Sequence, residues 1–117
     1  MKVLVLGSNG QIGRCLKDQL LKTNYLVTYS SREELDITNF FDSNSKIEKI
    51  NPNIIINAAA YTNVDKAEED TVNANLINNL AVENIANLCS KNGIVLIHIS
   101  TDYIFDGYSV SPYLETD

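Results

Sequence analysis

Residues 2–13 read K-V-L-V-L-G-S-N-G-Q-I-G, and they restrict the fold more than any other stretch. Val3, Leu4, Val5 and Leu6 form an unbroken apolar run, the mark of a strand buried on both faces of a parallel sheet. Gly7, Gly10 and Gly13 follow at three-residue spacing, and a helical pattern opens at about Gln11. Strand, glycine turn and helix together are the setting in which a dinucleotide is held. Gly7 permits a sharp turn off the strand. Gly10 leaves room for a pyrophosphate beside the backbone, and Gly13 lets the helix approach the strand. The first amides of that helix lack intrahelical partners and lie at the positive end of its dipole, so a phosphate is stabilised there. The alternative is an ordinary glycine-rich turn, against which the preceding apolar strand speaks. The spacing is G-x-x-G-x-x-G rather than the G-x-G-x-x-G of ordinary dehydrogenases.

The remaining chain repeats the strand-then-helix alternation. A first helix is expected from about Gln11 to Lys22, with Ile12, Cys15 or Leu16, and Gln19 or Leu20 facing inward. Tyr25 to Tyr29 reads as a second strand and Asn53 to Asn57 as a buried third. Between them Asp36 or Thr38 can cap a helix over about 39–49, which Asn51-Pro52 stops. Ala58-Ala59-Ala60 follows the third strand, small residues where ligands of open parallel sheets sit. Thr62-x-x-Asp65 reads as a capping box. A long helix over about 71–91 carries a Val72, Leu76, Leu80, Ile85, Leu88 stripe and ends at Gly93. Ile94 to Ile99 reads as a buried fourth strand, with His98 a hydrogen-bonded core residue. The expected fold is α/β, a doubly wound parallel sheet with helices on both faces.

The 117 residues suffice for one domain with a real core. A net charge of −6 argues against nucleic acid or an anionic membrane as partner. No apolar run approaches the ~20 residues of a membrane span, and the N-terminus lacks the pattern of a signal peptide. Cys15 and Cys89 fall in helical patterns with no C-x-x-C and no paired His, so both read as buried reduced thiols of a cytoplasmic protein. Asp65, Glu68, Glu69 and Asp70 cluster at a helix start, where acids are usually solvated and dipole-stabilising, so no metal ligands are assigned.

The region after the second strand bears on the cofactor. An acid about twenty residues past the glycines holds the ribose 2′-hydroxyl of NAD. Here Tyr29, Ser30 and Ser31 stand in that region, followed by Arg32, within reach of a 2′-phosphate. NADP(H) is therefore expected, with NAD(H) open because Glu33 and Glu34 offset the arginine charge.

With these residues in hand, the chain resembles the extended short-chain dehydrogenase/reductase family, and within it the dTDP-4-dehydrorhamnose reductases. The matching stretches are G-S-N-G-Q-I-G at Gly7, R-E-E-L-D-I-T at Arg32, I-I-N-A-A-A-Y-T-N-V-D-K-A-E at Ile55, V-N-A at Val72, H-I-S-T-D-Y-I-F-D-G at His98 and S-P-Y-L-E-T-D at Ser111. The resemblance implies that Gly10, Gln11 and Ile12 contact the pyrophosphate and that Arg32 lies near the adenosine ribose or its 2′-phosphate. It implies that Asp36 and Ile37 meet the adenine edge and that Ala60, Tyr61 and Thr62 line the nicotinamide-side ribose. Thr101 corresponds to the catalytic Ser/Thr that orients the sugar carbonyl, while Asp102 and Val64 help hold the dTDP-sugar. The implied reaction is NADPH-dependent reduction of the C4 ketone of dTDP-4-dehydro-L-rhamnose, a step of polysaccharide biosynthesis, and a homodimer remains open.

One departure stands out. The proton-supplying tyrosine and its lysine come as Y-x-x-x-K, and no Tyr of this chain has Lys four residues on. The expectation is that residues 1–117 form the NADP(H)-binding, Rossmann-like N-terminal part of a longer reductase, without its substrate lobe. Other readings are a nucleotide-sugar epimerase or dehydratase of the same superfamily, or a non-catalytic binding subunit like the regulatory subunit of methionine adenosyltransferase.

Overall fold

The computed structural model describes residues 1–101 and 104–116. Among these described residues, four parallel strands, β1 (Lys2–Leu6), β2 (Leu26–Ser30), β3 (Ile54–Asn57) and β4 (Val95–His98), form one sheet in the order β2-β1-β3-β4. The connecting helices are α1 (Gln11–Leu20), α2 (Phe40–Ile50), α3 (Val64–Glu69), α4 (Thr71–Asn75) and α5 (Ala81–Asn92), with a π-helical turn over Leu76–Leu80 joining the last two. This is the expected α/β, Rossmann-like sheet.

The apolar run at the N-terminus becomes β1, flanked on both sides, and none of Val3, Leu4, Val5 and Leu6 is more than 3% exposed. Burying each such side chain contributes about 1.5–3 kcal/mol before conformational entropy is counted. Successive side chains alternate between faces. Leu4 and Leu6 point to the face where Ile55 of β3, Ile47 of α2, and Ala81, Ile85, Leu88 and Cys89 of α5 form the main core. Val3 and Val5 point to the other face, which α1 covers. Tyr29, opposite Val5, lies there with the Lys17 Nζ 5.6 Å from its ring centre.

Several boundaries and faces differ from expectation. The first helix ends at Leu20, because the chain closes its last turn through Leu21, Lys22 and Thr23 amides bonded to carbonyls of residues 17, 19 and 20. Ile12 is 43% exposed and Cys15 is exposed, so Cys15 is not the buried thiol expected; only Cys89 is. Helix α1 packs through Gly13, Leu16 and Leu20 instead, since the glycine permits the closest approach. Asn39, not Asp36 or Thr38, caps α2, its Oδ1 accepting the Asp42 amide. Asn63, not Thr62, caps α3 by accepting the Lys66 amide. Asn51 closes α2 in the left-handed region at φ 50°.

The stripe of the long helical segment also breaks. A π turn winds more residues per turn than an α-helix and so rotates the face that follows it. Leu80, in the turn, is left 40% exposed, while Ala81, Ile85, Leu88 and Cys89 beyond it reach the core; Val72, in α4 before the turn, is 77% exposed. Strand β4 is not the buried strand expected. It lies at the sheet edge, and its Val95 and Ile97 share the Val3/Val5 face and remain 56% and 45% exposed.

Candidate functional site at the carboxyl edge of the sheet

All four strands point their carboxyl ends to the same edge, where ligands of such sheets bind. The glycine turn opens there. Gly7 has φ +74°, and a Cβ on it would lie 2.6 Å from the Ala59 nitrogen, so both conformation and space demand glycine. A Cβ on Gly13 would lie 2.4 Å from the Gly7 oxygen and 2.6 Å from the Ser8 Cα. Gly13 therefore serves the packing of α1 under the turn and lines neither cavity of the edge. Gly10 is different: a Cβ there meets only the Gly7 oxygen, at 3.3 Å, and its side faces open space. Gly10 is the N-cap of α1, with no side-chain cap and no acid in the first turn. The start of this ten-residue helix therefore has no capping side chain and no acid of its own.

Two cavities share Gly10, Ala58 and Ala60 as a common wall. The first, about 230 Å³, runs from Gly7 and Gly10 to Arg32, Asp36 and Ile37. Arg32 Nε lies 3.6 Å from Asp36 Oδ2. The other carboxylate oxygen of Asp36 accepts the Thr38 amide at 2.9 Å and the Thr38 hydroxyl at 2.7 Å. Partial burial pushes the Asp36 carboxyl up, but the Thr38 bonds and the Arg32 charge outweigh it and hold it below the usual range. The Ser31 hydroxyl, with smaller help from Arg32, likewise lowers Glu33. Ser30 and Ser31 are buried at the end of β2, and no carboxylate stands in their place.

The second cavity, about 1020 Å³, is lined by Gln11, Ile12, Tyr61, Thr62 and Thr101 among others. Gly10 and Thr101 therefore face one concavity, from the turn after β1 and the segment after β4. Gly7, Gly10, Gln11, Ile12, Arg32, Asp36, Ile37, Ala60, Tyr61, Thr62 and Thr101 all line one cavity or the other. Asp102 and the side chain of Val64 lie outside the described residues.

Residues not singled out from the sequence hold this edge in place. Asn78, in the π turn, accepts the Tyr61 amide at 2.8 Å and donates to the Tyr61 carbonyl at 3.1 Å. Its neighbour Ile77 lines the first cavity and Asn78 the second. Fully buried Asn57, ending β3, accepts the Ala59 amide at 3.1 Å and pairs with His98 of β4 at 3.2 Å. His98 is hydrogen-bonded as expected, yet exposed rather than in the core. Glu68 of α3 also reaches the second cavity. A π turn among ordinary helix formers leaves no periodic trace, so the sequence offered no signal for Asn78.

Known proteins resemble this chain in sequence and in fold. A family model described as the RmlD substrate binding domain matches residues 1–117. The dTDP-4-dehydrorhamnose reductase of Aggregatibacter actinomycetemcomitans is 42% identical over 117 residues, covering 99% of this chain and 40% of its own length. That of Escherichia coli (strain K12) is 39% identical over 120 residues, with 100% of this chain and 40% of its own covered. A crystal structure of a dTDP-4-dehydrorhamnose reductase from Clostridium acetobutylicum superimposes with a TM-score of 0.96 at 41% identity, over 100% of this chain and 42% of that one. The Bacillus anthracis reductase, solved in complex with NADP, gives 0.86 at 39% identity, over 91% of this chain and 38% of that one. This chain thus spans about 40% of the length of these curated relatives. The family match over the whole chain and the superposition show that the chain belongs to the RmlD, or dTDP-4-dehydrorhamnose reductase, family.

Proposed function

We propose that residues 1–117 are the NADP(H)-binding part of a reductase that converts the C4 ketone of dTDP-4-dehydro-L-rhamnose to the alcohol. The observation that carries the reading is the shared cavity: the uncapped start of α1 and Thr101 line one concavity at the carboxyl edge. The open side of Gly10 and the start of α1, which carries no side-chain cap, fit a pyrophosphate. Bound there, NADPH supplies the hydride for reduction of a ketone.

The chain's own groups divide the work. Gly10, Gln11 and Ile12 receive the pyrophosphate. Ile37 and Asp36 border the adenine, and Arg32 faces the 2′-phosphate. Ala60, Tyr61 and Thr62 border the second ribose. The Thr101 hydroxyl donates to the sugar carbonyl oxygen, orienting it and stabilising the negative charge that develops there. Asp102 and Val64 hold the sugar. The proton for the new alcohol comes from a Y-x-x-x-K tyrosine, and these 117 residues contain no such motif. The chain therefore binds cofactor without turnover.

Titration with NADPH and with NADH, followed by nucleotide fluorescence and melting temperature, tests this. Saturating NADPH is expected to raise the melting temperature, as any ligand of the folded state does. No shift with either nucleotide overturns the cofactor site. Ketone reduction by the pure chain overturns the assignment as a binding part alone.

A further inference from the structure

We infer that His98 is a positioning residue whose neutral, Nε2-protonated form fixes the Ala58–Ala60 wall through Asn57. The inference rests on the cofactor reading for its purpose, but its geometry stands alone. Asn57 is fully buried, so neither end of its carboxamide can turn to water. The Ala59 amide is a donor 3.1 Å away, and only the oxygen Oδ1 can receive it. Nδ2, itself a donor, is thereby directed at His98 Nδ1, 3.2 Å away. That ring nitrogen must carry a lone pair, which places the ring proton on Nε2. A proton on Nδ1 would set donor against donor. Turning the carboxamide over to relieve this would set Nδ2 against the Ala59 amide, again donor against donor. The Ala59 amide thus sets the orientation of the buried carboxamide, and one tautomer of the exposed ring in the neighbouring strand is the one that pairs with it and holds it there. The Asn57 side chain in turn fixes the turn that walls both cavities. The backbone bond from the Ile99 amide to the Asn57 carbonyl at 3.1 Å keeps the two strand ends in register for it.

The test uses the 117-residue chain. Nitrogen NMR of wild type is expected to show His98 with Nδ1 unprotonated and Nε2 protonated at neutral pH; the opposite tautomer overturns the inference. His98→Leu should speed hydrogen exchange of the Ala59 amide by about tenfold, the size expected for loss of one hydrogen bond's support. His98→Asn keeps an acceptor at the Nδ1 position and should restore slow exchange, while His98→Gln, with its polar group one bond further out, should not. Equal exchange in all three variants overturns the inference. NADPH affinity should follow the same order. Should wild type bind no NADPH while the exchange order holds, the cofactor reading fails and the positioning role stands.

Discussion

The carboxamide of Asn78 closes on both ends of the Tyr61 residue, its Oδ1 2.8 Å from the Tyr61 nitrogen and its Nδ2 3.1 Å from the Tyr61 oxygen. The π turn brings it there from a helix seventeen residues downstream. Asn78→Ala removes both bonds and is expected to cost about 1–2 kcal/mol of stability. Denaturant midpoints measure this, and weaker NADPH binding should accompany it as the segment bordering the second cavity loosens. Asn78→Asp keeps an acceptor but loses the donor, and should fall between wild type and alanine. An alanine variant as stable as wild type would remove Asn78 from the account.

Gly10 and Gly13 should separate binding from folding. The added methyl of Gly13→Ala meets backbone atoms at 2.4 and 2.6 Å that cannot step aside. Overpacking typically costs about 1–3 kcal/mol, and backbone clashes lie at the upper end or beyond. Circular dichroism melting should show a large loss. Gly10→Ala meets one oxygen at 3.3 Å, so its fold should survive, yet the methyl occupies the open side where the pyrophosphate would approach. Its NADPH affinity should fall by about tenfold or more, as close backbone approach is the reason for glycine there. Full affinity in Gly10→Ala would place the phosphates elsewhere.

Arg32 should discriminate between the two nucleotides. Its guanidinium is largely exposed, with Nε 3.6 Å from Asp36 Oδ2. Arg32→Ala should weaken NADPH by about tenfold, the value of one charge-assisted hydrogen bond, and leave NADH nearly unchanged. The difference should shrink as salt rises. Equal effects on both nucleotides would discard the 2′-phosphate role.

Asp36 provides a pH test with a definite sign. Its carboxyl lies below the ordinary value of 3.8, as the Thr38 and Arg32 contacts outweigh the upward push of burial. A depressed folded value stabilises the protein above 3.8, and that contribution is lost as pH falls further, through the folded value. Asp36→Asn should therefore be less stable than wild type at neutral pH, by under about 1 kcal/mol because the pair is solvent-screened. The gap should close in acid. An Asp36→Asn deficit that persists undiminished at the lowest pH where both proteins fold would contradict it.

Local pattern was enough to read the strand order of events along the chain, the glycine turn and the edge at which Thr101 emerges. The burial of Val3 to Leu6 needs only an apolar run, and the strain at Gly7 needs only its place between strand and helix. Such features are set by neighbours in sequence, so the sequence determined them by itself. Exposure of Cys15, Val95 and Ile97, the rotated face after Leu80, and the reach of Asn78 to Tyr61 and of His98 to Asn57 were decided by tertiary structure. Each depends on which elements come to lie over a face or beside a turn, and that is settled by contacts between residues far apart in the chain. A hydrogen bond across 17 or 41 residues leaves no periodic signal in the sequence that makes it.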